Sequence, residues 1–118
     1  MTQTADFYLK VGDSNPPLTI TCRYSDGTIQ DLTGASVTFA MWFKTGVVKI
    51  LDAAAAIVGA PTLGQAQYGD PWAAGDCNRV GDFEAEFHVT LPGGKKVTFP
   101  TGPRPENYIK IRIDPRIA

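Results

Sequence analysis

Apolar and polar residues alternate along residues 81–99 in the pattern of a β-hairpin with one buried face. Between positions 83 and 91 the odd residues are apolar and the even residues polar, the period of two of a half-buried strand. After Pro92-Gly93-Gly94 the alternation resumes and places Val97 and Phe99 on the buried side. A loop of three residues pairs 87 with 99 and 89 with 97, so that apolar residues lie opposite each other. A two-residue loop would shift the register by one residue and turn the apolar face of one strand to the polar side. The pattern therefore predicts the longer loop, with Gly94 in the left-handed conformation.

Further strand patterns run along the rest of the chain, separated by turn residues. The clearest is Ser36 to Lys44, where the odd positions from Val37 to Phe43 are apolar. Asp52 to Val58 is ambiguous, because its alanines favour a helix whereas its short length and flanking Gly and Pro favour a strand or an irregular segment. The other predicted strands cover residues 6–11, 18–24, 47–51 (an apolar run typical of a strand buried on both faces), 62–68 and 108–113.

This arrangement predicts an all-β protein. About seven to eight short strands, with turn signals about every 8–12 residues, are typical of an immunoglobulin-like antiparallel β-sandwich. The chain has 118 residues, which is enough for one domain with a core of its own, and no repeat or change of composition divides it. We therefore expect a single sandwich domain over residues 1–118.

Charge and composition exclude several classes of partner. The net charge is −1 and neither sign occurs in blocks, so no nucleic-acid partner is expected. The longest apolar run, at residues 53–58, is far too short to span a membrane, and no export signal is visible. Cys22 and Cys77 can be paired or free; without a secretory context we favour a free, buried Cys22.

No residue pattern predicts catalysis, a cofactor or a metal. His88, the only histidine, has no cysteine or carboxylate at the spacing of a zinc site. The acids at 70, 76 and 82 lack the spacing of a calcium loop and suit turn hydrogen bonds. Glu84 and Glu86 are two apart on a strand face that we expect to be solvent-facing and ion-paired, so they do not suggest a glycosidase pair. We therefore predict that the protein is not an enzyme.

Three aromatic residues are candidates for a protein interface. Trp42 lies on the strand face opposite the aliphatic row of 36–44, and Trp72 lies in a long loop beside Tyr68. Exposed aromatic residues are favoured anchors of protein–protein contacts. The alternative is that residues 53–68 fold over Trp42, or that both tryptophans lie in the core.

Several segments in order resemble the small Ig-like domain at the N-terminus of phage baseplate upper proteins and related tailed-phage structural proteins. Two of its motifs are Asp31-Leu-Thr-Gly34 and Gly81-x-Phe-x-Ala-x-Phe87. The remaining segments are residues 6–13, 17–18, 26–27, 35–41, 68, 72–76 and 94–100.

The resemblance implies a non-enzymatic structural component of a tailed-phage virion, most simply a baseplate or tail protein at the fibre attachment. It implies other phage structural proteins as partners, homo-oligomers in the particle, assembly in the host cytoplasm, and no cofactor or nucleic-acid contact. Two alternatives stay open: a capsid decoration (cement) protein and a small carbohydrate-binding module. A sugar would require an open ring face at Trp42 or Trp72, whereas assembly would bury these rings against another subunit.

Overall fold

The alternating segments form a β-sandwich. The structure, a computed structural model, describes residues 6–24, 26–45, 48–73, 75–101 and 108–115, and within them the chain has nine strands and one short 3₁₀ helix. The strands are β1 (Phe7–Lys10), β2 (Leu18–Thr21), β3 (Ser36–Phe43), β4 (Val48–Ala54), β5 (Ala56–Ile57), β6 (Gln65–Tyr68), β7 (Gly81–Thr90), β8 (Lys96–Phe99) and β9 (Ile109–Asp114). The 3₁₀ helix, Pro61–Leu63, lies between β5 and β6.

The strands form two sheets. The large sheet has the order β1-β9-β7-β3-β4, with β8 also paired to β7, and the small sheet has the order β2-β6-β5. The predicted all-β, Ig-like sandwich is confirmed. One pair departs from the predicted antiparallel arrangement, because β1 runs parallel to β9. A parallel pair needs a long connection, and here almost the whole chain separates the two strands.

The hairpin of β7 and β8 has the predicted register. Phe87 pairs with Phe99 and Val89 with Val97. The Leu91 N–H donates to the Lys95 carbonyl over 2.7 Å, which leaves residues 92–94 as the loop. Gly93 and Gly94 have φ angles of +92° and +90°, a conformation that glycine adopts without steric cost. The register follows from the side-chain period, because a slip of one residue would turn the apolar face to solvent.

The core lies between the two sheets and is rich in aromatic rings. Phe39 of β3 is fully buried and stacks on Tyr68 of β6, with 4.4 Å between ring centroids. Its edge contacts with Phe87 and Trp72 have centroid distances of 5.0 and 5.9 Å. The predicted inward isoleucines of β9, at positions 109, 111 and 113, are buried as well. Rings from both sheets thus interlock around Phe39.

The ambiguous Ala-rich segment is extended, so the helix alternative for residues 52–58 is wrong. Two residues of β4, Leu51 and Asp52, lie opposite the single Ala40 of β3, which makes a β-bulge. Asp52 has a φ of +52° there. At Ala55 the chain leaves the large sheet and enters the small one as β5. The prediction of a strand buried on both faces is also wrong, since Leu51 is 69% exposed.

Trp72, in the loop that follows β6, packs into the core. Trp72 is 3% exposed, and its indole N–H donates to the Pro16 carbonyl over 2.8 Å. A Cβ atom at Gly69 would come within 2.5 Å of the Trp72 ring. Only glycine leaves room for the indole at this position.

We predict that Gly69→Ala lowers the free energy of unfolding by about 3–4 kcal/mol, because it combines a positive φ with displacement of a buried indole. Gly93→Ala is the matched control: its φ of +92° is similar to the +95° of Gly69, but no atom lies within 4 Å of the added Cβ. The control should cost only about 1–2 kcal/mol. Urea denaturation measures both, and equal losses would contradict the Trp72 contact.

Candidate interaction surface

The large sheet has a polar side that faces away from the small sheet, which we call the outer face. It consists of the even-numbered residues of β1, β3, β7, β8 and β9, together with Asp52 of β4. The odd-numbered residues of these strands turn inward and supply much of the core. Most outer-face residues are exposed or half-buried, and the two buried exceptions are Ala40 and Glu84.

Trp42 and Glu84 form the centre of the outer face. They are directly opposite each other on β3 and β7. The indole Nε1–H of Trp42 donates to Oε1 of Glu84 over 3.0 Å. Glu84 is 8% exposed and is the buried charged residue of the described part of the chain, so its predicted solvent-facing position is wrong. A bulky half-buried indole beside it explains this burial, and the hydrogen bond compensates part of the lost hydration.

A second polar cluster surrounds His88. Its Nε2 lies 2.6 Å from Oε2 of Glu86, and its Nδ1 lies 3.5 Å from Oδ1 of Asp52. Glu86 shares the strand face of His88, as the period of two requires. Asp52 reaches the ring from β4 at the bulge, a placement that no sequence spacing indicates. Within the described ranges, no group of three or more His, Cys, Asp or Glu side chains is arranged to hold a metal ion.

A third cluster lies towards the β1 edge. Arg112 of β9 donates to Asp114 from Nε over 2.8 Å and to Asp82 of β7 from Nη1 over 3.1 Å. Hydrogen bonds to Asp114 and then to Asp82 raise the pKa of the Arg112 guanidinium above its ordinary value. These contacts are exposed, so they orient the side chains more than they stabilise the fold.

The three predicted interface aromatics are not together. Trp42 lies on the outer face, as its strand parity predicts. Trp72 is buried and Tyr68 is half-buried, and each packs one side of its ring against Phe39. The Tyr68 hydroxyl donates to Asp76 over 2.8 Å, and burial followed by this hydrogen bond raises the pKa of the phenol. The alternative of a core position is thus right for Trp72.

The thiol of Cys22 is not activated for nucleophilic attack. Neither Cys22 nor Cys77 forms a disulfide and both are buried, which confirms the favoured state of Cys22. Burial raises the pKa of the Cys22 thiol to about 11, so the thiol is protonated at neutral pH and is a poor nucleophile. Asp76 accepts from the Ala73 N–H as well as from Tyr68, which is the predicted turn role. No helix in the described ranges has the length and apolar character needed to cross a membrane.

Comparisons with known proteins add one structural likeness. No protein-family model matches the chain, and no curated protein matches it. Among solved structures, the crystal structure of CopC from Methylosinus trichosporium OB3b matches with a TM-score of 0.50 and 14% sequence identity. The match covers 98% of this chain and 89% of that chain. At this identity the likeness establishes the shared fold and nothing further.

The predicted function is corrected by this comparison. A structure that matches nearly the whole chain is CopC, which is not a phage structural protein, and nothing found supports a tail, baseplate or capsid role. The carbohydrate-binding alternative has no support either. The resemblance to the baseplate upper protein family and the virion location that it implies are not tested by these comparisons and stay predictions.

The Trp42–Glu84 hydrogen bond leads to a first prediction for this surface. Glu84→Ala should lower the free energy of unfolding by about 1–3 kcal/mol, because it leaves the indole N–H without its acceptor. Glu84→Gln keeps a side-chain acceptor at the same reach and should lose less. Urea denaturation of both variants provides the test. Equal losses would indicate that the indole hydrogen bond contributes little.

The buried thiol leads to a pH prediction. Between the ordinary thiol pKa of 9.0 and about 11, the unfolded chain releases a proton that folded Cys22 retains. Stability should therefore fall as pH rises through this window. Cys22→Ala lacks this contribution, so the wild type should lose more stability than the variant between pH 8.5 and 11. Parallel pH dependences, measured by urea denaturation, would contradict the assigned burial of the thiol.

Proposed function

We propose that the chain is a non-catalytic domain that binds a second copy of itself through the outer face. The observation that carries the proposal is the position of Trp42, a half-buried indole at the centre of a wide and otherwise polar sheet face. Binding hot spots are typically central aromatic residues surrounded by polar groups that exclude water. Trp42 has these properties, whereas the rings of Tyr68 and Trp72 are already used by the core.

The polar surroundings of Trp42 support a preorganised binding surface. Glu84 fixes the indole through a hydrogen bond of 3.0 Å, so less side-chain freedom would be lost on binding. The contacts of His88 with Glu86 and Asp52 orient further outer-face side chains in the same way. Because the face is polar around the indole, the monomer also stays soluble.

The dimensions of the outer face support a weak, reversible association. Five strands about 4.8 Å apart, with lengths of four to ten residues at about 3.3 Å each, give a face of roughly 500 Å². Stable complexes bury about 800 Å² on each partner. The dimer should therefore dissociate on dilution, at concentrations on the order of micromolar or higher.

The absence of catalysis is part of the proposal. Burial raises the pKa of the Cys22 thiol and keeps it protonated at neutral pH. Both nitrogens of the His88 ring face carboxylates rather than a hydroxyl or thiol. A nucleophilic mechanism needs a base within reach of its nucleophile. These placements favour binding over chemistry.

Light scattering across a wide concentration range tests the proposal. The wild-type mass should rise from that of a monomer towards that of a dimer, and Trp42→Ala should weaken the association at least about tenfold, as expected for a central anchor. Leu63→Ala is the matched control, because Leu63 is 51% exposed but lies in the 3₁₀ helix, outside the outer face. Circular dichroism verifies that both variants fold. A monomeric wild type at millimolar concentration would overturn the proposed function.

A further inference from the structure

Glu84 and Lys110 are neighbouring opposite charges that do not pair within one copy. Lys110 of β9 lies directly opposite Glu84 of β7, and both are on the outer face. The Glu84 carboxylate instead accepts from Trp42, on the β3 side of its strand. Within the described part of the chain, no ion pair includes Glu84 or Lys110. A buried glutamate and a half-buried lysine thus have no charged partner in their own copy.

The environment of Glu84 favours a cation from outside the copy. A buried carboxylate is costly unless it is both hydrogen-bonded and paired with a positive charge. The neutral indole of Trp42 supplies one hydrogen bond, which compensates only part of the hydration lost. The group that fits is therefore an ammonium or a guanidinium that approaches Glu84 from the outer face. A second copy carries such a group in Lys110.

We propose that two copies stack outer face to outer face about a two-fold axis that runs along the strands between β7 and β9, so that Lys110 of each copy pairs with Glu84 of the other. This geometry rests on the proposed function and specifies it. An axis between two neighbouring strands places each residue over the second copy's version of its lateral neighbour in the sheet. The contact is therefore made twice, and the four charges around the axis alternate in sign.

Other axes leave Glu84 without a cation. An axis along β7, or one across the strands at the level of Glu84, places the two Glu84 carboxylates against each other. An axis between β3 and β7 places Glu84 over Trp42, whose N–H is already used. An axis between β9 and β1 leaves Glu84 uncovered, because no described strand lies beyond β1 in the sheet order. Apposed like charges and unpaired buried charges both cost free energy, so the axis between β7 and β9 is favoured.

The same axis brings Trp42 and the exposed Tyr8 towards each other. It places β3 over β1 of the second copy, because these two strands flank β7 and β9 in the sheet order. Tyr8 of β1 is 47% exposed and lies opposite Arg112, two residues along β9 from Lys110. Trp42 is level with Lys110, since both are opposite Glu84. The two rings are thus displaced by about 7 Å along the strands, within the reach of large aromatic side chains.

Single charge changes test this geometry, with dissociation constants measured by light scattering. Lys110→Glu places a carboxylate over Glu84 of the second copy and should weaken the dimer at least about tenfold. Glu84→Gln keeps an acceptor for Trp42 but removes the charge, so it should weaken the dimer at least about threefold, whereas an axis along β7 would make it tighter. Lys95→Glu is the charge control, because Lys95 lies between the hairpin loop and β8, outside the outer face; its dimer should be unchanged.

A mixture of two variants tests whether the charge pair forms between copies. Lys110→Glu alone and Glu84→Lys alone each oppose like charges at both contacts, whereas a mixed dimer of the two chains restores both pairs. The mixture should therefore dimerise at least about tenfold more tightly than either variant alone. Circular dichroism verifies folding. If Glu84→Lys unfolds, the chain with Lys110→Glu and Glu84→Gln replaces it, and it should dimerise more tightly than Lys110→Glu because the repulsion is removed.

The failure of this geometry is distinguishable from the failure of the proposed function. A wild-type dimer that is unchanged by Lys110→Glu, or that Glu84→Gln makes tighter, would overturn the axis between β7 and β9 while leaving self-association intact. A wild-type monomer at all concentrations would overturn the proposed function and this geometry with it.

Discussion

Strands β3 and β7 pair over eight residues, from Ser36 opposite Thr90 to Phe43 opposite Phe83, and the rest of the structure depends on this ladder. On its inner side Phe39 packs against Phe87, against Tyr68 of the small sheet and against Trp72 of the loop that follows β6. On its outer side Trp42 faces Glu84. A slip of one residue would exchange the two sides, so the same pairing fixes both the core and the outer face.

The outer face combines features that a simple solvent-exposed sheet does not need. A carboxylate is buried beside an indole, and an aspartate at a bulge with positive φ contacts a histidine on a different strand. Burial of a charge and a backbone outside the common regions both cost free energy. Their occurrence on the same face supports a surface shaped for contact.

The sequence predicted those parts of the fold whose side chains alternate. The alternation of apolar and polar residues is sufficient to predict the buried faces of β3, the β7–β8 hairpin and β9. A strand with one buried face has one acceptable register, because a slip of one residue would expose that face. The alternation failed where tertiary contacts decide, at the bulge at Asp52 and in the burial of Glu84, and it left Trp72, in an aperiodic loop, open between the core and the surface. The functional prediction failed for a related reason, since short turn and strand motifs are common to many sandwiches and fold does not imply function.

The most direct test of the outer face as the contact surface is the solvent accessibility of Trp42 as the dimer forms. Trp72→Phe leaves Trp42 as the only tryptophan, so acrylamide quenching of its fluorescence reports on this ring alone. If the outer faces stack, quenching should decrease as the concentration rises through the range in which light scattering records a dimer. Unchanged quenching across that range, while the mass doubles, would place the contact elsewhere and contradict this account.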